Sequence, residues 1–172
     1  MFKTTANKIT MLRIVLIPVF LVLAYSDMMM AALAVYIIAC LSDFADGYIA
    51  RHYNQISNFG KFMDPLADKC LVMAALCCFV EQGSMAAWIL AVVLVREFAV
   101  SGMRMVAVEK GRVIAAGWSG KVKTASTMVC ICLILFGMPP VVNTICQWII
   151  LLTTVYSGVE YFWQNRDVFK DM

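Results

Sequence analysis

Charged residues are scarce in this sequence of 172 residues, because Asp, Glu, Lys and Arg together make up only 15% of it. Hydrophobic residues make up 63%, and the mean hydropathy is +0.83. Soluble domains are typically about 45–50% apolar, so a soluble chain could not hide this much apolar surface from water. The composition therefore excludes an ordinary soluble domain and predicts a membrane protein, for which we expect no nucleic-acid partner.

The sequence also lacks linkers and thiol motifs. No Pro-, Gly- or Ser-rich linker, low-complexity run or internal repeat divides it, which predicts one membrane domain over residues 1–172. The cysteines form no Cys-x-x-Cys pair and lie in or beside apolar runs, so we expect small buried side chains rather than disulfides or metal ligands. They are Cys40, Cys70, Cys77, Cys78, Cys130, Cys132 and Cys146. A surface role is expected for the one histidine, His52.

Six apolar runs approach the length needed to cross a bilayer, which is about 20 residues with a range of about 17–25. They lie near 9–25, 30–50, 66–82, 85–108, 122–138 and 143–163. Turn-like or polar patches separate them at Tyr25-Ser-Asp, Glu81-Gln-Gly-Ser and Gly137-Met-Pro-Pro. The predicted fold is an all-α integral membrane protein with six transmembrane helices and two long polar connections, over 51–65 and 104–123.

Lys and Arg are absent from three of the connections, near 26–29, 81–84 and 137–143. Basic residues fall instead in four regions that alternate with these loops: the N-terminus, 51–69, 104–123 and the C-terminal tail. The positive-inside rule therefore predicts that both termini are cytoplasmic. Two possibilities at the start stay open: a cleaved signal peptide ending near Ser26, and a short interfacial helix over Met1–Asn7.

Four acids stand in the stretch 41–69, where a lipid environment disfavours them. Asp43 and Asp46 are three residues apart, and Asp64 and Asp68 are four apart, so each pair shares a helix face. An acid at mid-membrane costs about 2.5–3.5 kcal/mol, and four facing acids would also repel one another. Two divalent cations would balance four carboxylates, and such hard oxygen ligands suit Mg²⁺ or Mn²⁺.

Each acid alone also has a structural explanation. Asp64 precedes a proline and could be a helix N-cap, and Asp43 or Asp46 could be an ordinary acid at a helix end. All four together favour a site, because Gly47 and Gly60 also permit close backbone approach there.

The stretch reads Asp43-x2-Asp46-Gly47-x2-Ala50-Arg51-x8-Gly60-x3-Asp64-x3-Asp68. This pattern resembles, position for position, the signature of the CDP-alcohol phosphatidyltransferases, which also have six transmembrane helices and a cytoplasmic active site. The resemblance implies that Asp43 and Asp64 bridge two metal ions, that Asp46 completes the first site, and that Asp68 joins the second and accepts a proton. It also implies contacts to CDP-diacylglycerol from Asn7, Thr10, Gly47, Arg51, Ser57 and Gly60.

The reaction that this resemblance implies is a displacement at phosphorus. The phosphatidyl group of CDP-diacylglycerol would pass to an alcohol while CMP leaves, and two metals would draw charge from the phosphoryl oxygens. No covalent nucleophile is evident, which favours direct displacement. The family further implies a homodimer, and the absence of a transit-like extension favours a bacterial plasma membrane.

Basic residues of the fourth and fifth spans are candidates for binding the acceptor alcohol. Arg96 and Arg104 are eight residues apart, about two helical turns, so they share a face. Lys121 and Lys123 stand at the start of the fifth span. Together they predict a basic cavity suited to a phosphorylated alcohol, since charges at membrane depth are functional candidates. The alternative is that Arg104, Lys121 and Lys123 only anchor helix ends to lipid headgroups.

Two strings refine the acceptor: VREFAVSGMRMVAVEKG over 95–111, and SGKVKT over 119–124. They resemble the branch of the family whose acceptor is sn-glycerol 3-phosphate, as does Tyr156-Ser-Gly-x-x-Tyr-Phe. Two departures, Thr127 for a usual Gln and Ala6 for a usual Pro, put only fine positioning in doubt. Inositol phosphate and serine remain alternative acceptors, and a non-enzymatic transporter or channel subunit remains an alternative of a different class.

Overall fold

The computed structural model of this chain describes the backbone of residues 5–52, 58–109, 111, 114 and 117–169, and the side chains of 11–42, 66–109, 111, 114 and 117–167. Within these ranges all regular secondary structure is helical, which confirms the predicted all-α fold class. The elements are α1 (Thr5–Tyr25), α2 (Met29–His52), α3 (Asn58–Glu81), α4 (Ala87–Glu109), α5 (Trp118–Leu135), α6 (Pro140–Gln164) and a short 3-10 helix, η1 (Arg166–Phe169).

Two compact units divide the chain. The first unit covers Met1–Glu81 and Leu135–Gly137, and the second covers Gln82–Ile134 and Met138–Met172. The helices α1, α2 and α3 therefore belong to the first unit, whereas α4, α6 and nearly all of α5 belong to the second.

In the first unit, α1 packs against both α2 and α3. Phe20 of α1 and Tyr36 of α2 are both fully buried, and their ring centroids lie 6.0 Å apart. The Tyr25 hydroxyl at the end of α1 donates a hydrogen bond to the Glu81 carboxylate at the end of α3. This bond brings the C-terminal ends of α1 and α3 to the same level, so the two helices run in the same direction. Small buried side chains, which let helices approach closely, are Ala24, Ala32, Ala39 and Ala75.

The three predicted breaks are confirmed, and each contains a residue in the left-handed region. Asp27 has φ 55°, Gly83 has φ +71° and Gly137 has φ +79°. Glycine accepts this conformation without steric cost, and Asp is among the few other residues that tolerate it. Pro140 then begins α6, where its fixed φ and missing N–H suit the first turn of a helix.

The predicted long connections are wrong in extent, because the helices continue beyond the apolar runs. Within the connection predicted over 51–65, residues 51–52 belong to α2 and residues 58–65 belong to α3, and residues 53–57 lie outside the described part of the chain. The connection predicted over 104–123 is also shorter, because α4 extends to Glu109 and α5 starts at Trp118. Hydropathy marks only the part of a helix that suits lipid, whereas backbone hydrogen bonds also carry helices through polar residues.

Two further expectations are corrected by these bounds. Asp64 lies inside α3 rather than at its N-cap, so the capping explanation for this acid is wrong. Thr5, Ala6 and Asn7 are continuous with α1 instead of forming a separate interfacial helix, and residues 1–4 lie outside the described part of the chain.

In the second unit, α4 packs against α6. Trp88 and Trp148 meet edge to face with ring centroids 6.4 Å apart. The Gln147 side chain donates to the Ser84 carbonyl at 2.8 Å and accepts from the Ala86 N–H at 3.3 Å, which ties the start of α4 to α6. Near the other end of α4, Val100, Met103 and Tyr161 form a buried apolar cluster.

Two of the helices within the described ranges are long and apolar enough to cross a membrane, namely Trp118–Leu135 and Pro140–Gln164. Met11–Tyr25 and Met29–Ser42 are shorter apolar helical segments. Large apolar side chains such as Leu41, Phe98 and Trp163 are exposed, an arrangement that suits a lipid environment. The number of spans remains a prediction. All seven cysteines are described and none of them is in a disulfide. Cys78, Cys130 and Cys146 are buried as expected, whereas Cys70 and Cys77 are exposed, so the expectation of buried side chains is wrong for these two.

Candidate active site

The four predicted metal-binding aspartates lie on one helical hairpin of the first unit. Asp43 and Asp46 are on α2, and Asp64 and Asp68 are on α3. These helices contact each other, and only 53–57 separates the end of one from the start of the other. Both pairs therefore lie toward the connected ends of the hairpin.

Counting along the hairpin places the two pairs at matching levels. Asp46 stands six residues before the end of α2, and Asp64 stands six residues after the start of α3. Asp43 and Asp68 stand nine and ten residues from the same ends. At about 1.5 Å per residue these levels lie about 9 Å and about 14 Å along the hairpin. Such matched levels are what a site shared between the two helices requires.

Only Asp68 among these aspartates has a described side chain, and it is half-buried. The carboxylates of Asp43, Asp46 and Asp64 lie outside the described side chains. Among the side chains that are described, no group of three or more His, Cys, Asp or Glu residues could hold a metal ion. The ligand geometry therefore stays a prediction, although four carboxylate donors on neighbouring helix ends suit a hard divalent cation.

The predicted contacts to CDP-diacylglycerol belong to the same unit. They are Asn7 and Thr10 on α1, Gly47 and Arg51 on α2, Gly60 on α3, and Ser57, which lies outside the described residues. The backbone thus puts all but Ser57 on the three helices that pack together in the first unit. The side-chain contacts at these positions also lie outside the described ranges.

A buried cation lies on α1. Arg13 is only 1% exposed, although the sequence grouped it with the basic N-terminus. Arg13 stands 12 residues before Tyr25 on α1, and Asp68 stands 13 residues before Glu81 on α3. Tyr25 and Glu81 are hydrogen-bonded to each other, so they mark the same level at the ends of the two helices. These separations are about 18 and about 20 Å. Arg13 and Asp68 are therefore at nearly the same height on neighbouring helices.

Two predicted acceptor residues meet at an acid in the second unit. Lys123 Nζ on α5 donates to Glu97 Oε1 on α4 at 2.6 Å, and Arg96 Nη1 donates to the same oxygen at 3.0 Å. The side chains of Arg96, Glu97 and Lys123 are 13%, 14% and 6% exposed. We call these three residues the Glu97 cluster. Two cations and one carboxylate give it a net charge of +1.

Two glycines make room for the Arg96 side chain. A Cβ atom at Gly158 of α6 would lie 3.1 Å from Arg96 Cγ, which is tighter than an ordinary contact. A Cβ atom at Gly120 of α5 would lie 3.8 Å from Arg96 Nη2, which is an ordinary contact. The Arg96 side chain therefore runs close to the backbone of α6, and a larger residue at position 158 would displace it.

The other two predicted acceptor residues are exposed. Arg104 Nε donates to the Tyr161 hydroxyl at 3.1 Å, and its guanidinium carbon lies 5.5 Å from the ring centroid. Lys121 Nζ lies 5.8 Å from the ring centroid of Trp118. An exposed lysine beside an exposed tryptophan is also typical of an interfacial anchor.

Arg96 and Arg104 both approach α6, at Gly158 and Tyr161, in keeping with their predicted common face. Two partners of the cations, Glu97 and Tyr161, lie in strings that resemble the family, but the sequence did not indicate an individual role for either of them. The available signal for Glu97 was an acid next to an arginine inside an apolar run. The Thr127 hydroxyl, at a position where a Gln is usual, donates to the Lys123 carbonyl at 2.8 Å.

Comparison with known proteins agrees with the pattern of aspartates. The family described as CDP-alcohol phosphatidyltransferase matches residues 3–156. This range includes the whole α2–α3 hairpin and all three residues of the Glu97 cluster.

Three relatives are similar over most of their length. The chain is 38% identical to a Bacillus subtilis protein named CDP-diacylglycerol–glycerol-3-phosphate 3-phosphatidyltransferase, over 95% of this chain and 96% of that relative. It is 31% identical to a Rickettsia typhi protein of the same name, over 93% and 96%. It is 36% identical to a probable phosphatidylglycerophosphate synthase of Mycobacterium tuberculosis, over 91% and 78%.

Proposed function

Because the chain belongs to the CDP-alcohol phosphatidyltransferase family, we propose that it transfers the phosphatidyl group of CDP-diacylglycerol to sn-glycerol 3-phosphate, giving phosphatidylglycerophosphate and CMP. The names of the Bacillus and Rickettsia relatives support this acceptor. Within the chain, the observation that carries the assignment is the pair of mostly buried cations, Arg96 and Lys123. A phosphorylated acceptor would use two such cations, whereas serine would leave them without a role.

Two divalent ions, Mg²⁺ or Mn²⁺, would be held by Asp43, Asp46, Asp64 and Asp68. The matched levels of the two pairs on the α2–α3 hairpin and the all-oxygen donor set support this assignment. When bound, the ions supply charge neutralisation at the phosphoryl oxygens and at the departing CMP. Without the ions, the four carboxylates would have no positive charge to balance them at this site.

CDP-diacylglycerol would be oriented by residues of the first unit. Arg51 offers a planar guanidinium that donates to phosphate oxygens in pairs. The other proposed contacts are Asn7, Thr10, Gly47, Ser57 and Gly60. The glycines permit the nucleotide to approach the backbone of α2 and α3 closely.

Asp68 would take the proton from the acceptor hydroxyl as that oxygen attacks the phosphatidyl phosphorus. The bond to phosphorus forms from the acceptor oxygen, and the phosphoanhydride bond to CMP breaks. A carboxylate is a weak base, so its effect depends on placement against the hydroxyl. Asp68 is half-buried on α3, which limits competition from bulk water. We infer direct displacement without a covalent enzyme intermediate, and trapping a phosphatidylated enzyme would overturn it.

The proposed setting is a bacterial plasma membrane, crossed six times, with both termini and the active site on the cytoplasmic side. The alternation of basic and basic-free connections along the sequence supports this topology. A homodimer is proposed from the family alone. Cysteine-accessibility labelling of the three basic-free turns in intact cells would test the topology.

An acceptor panel tests the function. The purified protein in liposomes containing CDP-diacylglycerol and Mg²⁺ is supplied with glycerol 3-phosphate, inositol phosphate, serine or glycerol, and CMP release is followed together with the lipid product. We expect CMP release that requires the divalent ion and is fastest with glycerol 3-phosphate. Preferred use of serine would refute the acceptor, and the absence of CMP release with every acceptor would refute the enzyme.

A further inference from the structure

Glu97 has a position that the proposed reaction does not by itself explain. One oxygen, Oε1, accepts from both Lys123 Nζ at 2.6 Å and Arg96 Nη1 at 3.0 Å. All three side chains are at most 14% exposed. Hydrogen bonds between charged groups at such lengths are strong and directional. Glu97 therefore fixes where the two cations stand relative to each other.

The charge of the cluster depends on the same residue. Without Glu97 two mostly buried cations would face each other with no anion between them, and such an arrangement is strongly unfavourable. With Glu97 the cluster keeps a net charge of +1, and its two cations have more N–H donors than their bonds to Glu97 use. An ammonium group has three N–H donors and a guanidinium has five. The Arg96 Nε donor is buried and makes no hydrogen bond within the described residues.

We propose that Glu97 is a positioning residue for the acceptor: it holds Lys123 and Arg96 in the geometry that binds a phosphate monoester. This inference rests on the proposed function and names a residue that determines the acceptor class. Glu97 acts through the two cations and does not contact the reacting phosphorus. An anionic acceptor would be selected over a neutral alcohol because the cluster retains a positive charge.

The first test removes the charge of Glu97 and keeps its shape. In the Glu97→Gln protein a neutral amide oxygen replaces the carboxylate oxygen that accepts from both cations. The negative charge between the two cations is then lost, so their mutual repulsion shifts their spacing. We expect the KM for glycerol 3-phosphate to rise about tenfold, while the KM for CDP-diacylglycerol changes less than about twofold. Glu97→Asp retains the charge and should recover part of the lost affinity. An unchanged KM for glycerol 3-phosphate, or equal changes for both substrates, would refute the proposal.

A matched control is available on α6. Glu160 is also a half-buried carboxylate of the second unit, but its Oε1 accepts from the neutral Gln164 side chain at 3.0 Å. Glu160→Gln should leave both KM values within about twofold of the parent protein. A rise in the KM for glycerol 3-phosphate equal to that of Glu97→Gln would show that any carboxylate of this unit has the same effect, and it would overturn the specific role.

A double-mutant cycle with Lys123→Gln separates positioning from general destabilisation. If Glu97 acts through the cations, Glu97→Gln should raise the KM for glycerol 3-phosphate by less than about threefold in the Lys123→Gln background. Full additivity of the two changes would mean that Glu97 acts independently of Lys123. That result would contradict the proposal.

A second pair of variants keeps the test valid even if Glu97→Gln does not fold. Gly158→Ala forces Arg96 Cγ to move from a 3.1 Å contact, whereas Gly120→Ala leaves an ordinary 3.8 Å contact. Gly158 is in the interior of α6 and Gly120 is in the first turn of α5, and in both helices alanine is a better helix former than glycine. We expect Gly158→Ala to raise the KM for glycerol 3-phosphate about fivefold and Gly120→Ala less than about twofold. Equal effects of the two variants would refute the role of the Arg96 position.

The proposed function and this inference fail in distinguishable ways. If the parent protein does not use glycerol 3-phosphate, the proposed function is wrong regardless of any variant. If the parent protein uses it and neither Glu97→Gln nor Gly158→Ala changes its KM, only the positioning role of Glu97 is wrong.

Discussion

The two compact units carry charge on apolar helices in different ways. In the first unit, acids dominate the candidate site, with four aspartates on the α2–α3 hairpin and the buried Arg13 on α1. In the second unit, Arg96 and Lys123 share the carboxylate of Glu97. The second arrangement supplies its counter-charge from the chain itself, whereas the first is proposed to take divalent ions from solution.

This difference indicates a division of labour. Mg²⁺ is usually bound by one or two carboxylates together with substrate phosphates, so the proposed metal site of the first unit would be completed when the nucleotide diphosphate binds. Cations that already have an internal partner can be folded before the acceptor arrives, and they still offer further donors to a phosphate. Substitutions of the four aspartates in the first unit should therefore affect catalysis, while substitutions of the cations in the second unit should affect acceptor affinity.

The largest effect that this contrast predicts is on turnover when the proposed base is removed. Asp68→Asn should lower kcat on the order of a thousandfold, because the amide cannot accept the proton of the acceptor hydroxyl. Binding of CDP-diacylglycerol should be retained. Asp27→Asn is the matched control, since Asp27 lies in an exposed turn of the same unit. Steady-state kinetics decides, and near-normal turnover of Asp68→Asn would remove this residue as the base.

The next effect is on stability and compares a buried with an exposed arginine. Arg13→Met removes a cation that is 1% exposed. Because buried charges are normally paired, we expect the change to leave an unbalanced partner, at a cost of about 3 kcal/mol. Arg104→Met removes an exposed guanidinium and should cost less than about 1 kcal/mol. Unfolding in detergent measures both. Equal stabilities of the two variants would show that Arg13 is not required by the fold of the first unit.

A smaller effect is expected on acceptor affinity from the exposed cations of the second unit. Arg104→Ala should raise the KM for glycerol 3-phosphate about tenfold with little change for CDP-diacylglycerol. Tyr161→Phe removes the hydroxyl that accepts from Arg104 Nε and should raise the KM for glycerol 3-phosphate about threefold. Lys121→Ala distinguishes the two roles proposed for this residue: a change below about twofold would show that Lys121 only anchors α5, and a rise close to that of Arg104→Ala would place it in the acceptor site. Equal effects of Arg104→Ala on both substrates would contradict an acceptor site.

The smallest effect concerns two glycines of the second unit in different backbone conformations. Gly83 has φ +71° in the turn before α4, so Gly83→Ala should destabilise the protein by about 1 kcal/mol. Gly102 is inside α4 with open space around it, so Gly102→Ala should stabilise the protein by about 0.5–1 kcal/mol. Thermal unfolding of the two variants should therefore move in opposite directions. Shifts of the same sign would contradict the assigned turn.

The sequence predicted the helices and their breaks well, because both depend on local patterns. Apolar runs identified all six helices, and the turns at Asp27, Gly83 and Gly137 followed from turn-forming residues. It failed on the helix limits at the polar connections, where α3 begins at Asn58 rather than near residue 66. A polar residue at a helix end lowers the local hydropathy and so falls outside the apolar run, but its backbone remains part of the hydrogen-bonded helix.

The candidate site divides in the same way. The spacing of the aspartates is local, so their common faces and their place on a hairpin could be predicted. The partners of the cations could not be predicted in this way, because Glu97 and Lys123 are 26 residues apart on different helices. Arg13 was assigned to a basic terminus for the same reason, since burial depends on which face of α1 meets its neighbours.

The sequence alone determined that this is a helical, lipid-compatible chain with a family-specific set of acids at fixed spacing. Those properties follow from the composition and from the spacing of residues relative to the period of the helix, and both can be read directly from the sequence. The tertiary structure alone decided that Glu97 joins two cations, that Arg13 is buried and that Gly158 makes room for Arg96. These depend on how each helix is rotated against the next, and that rotation is set by packing over the whole unit rather than by any local pattern.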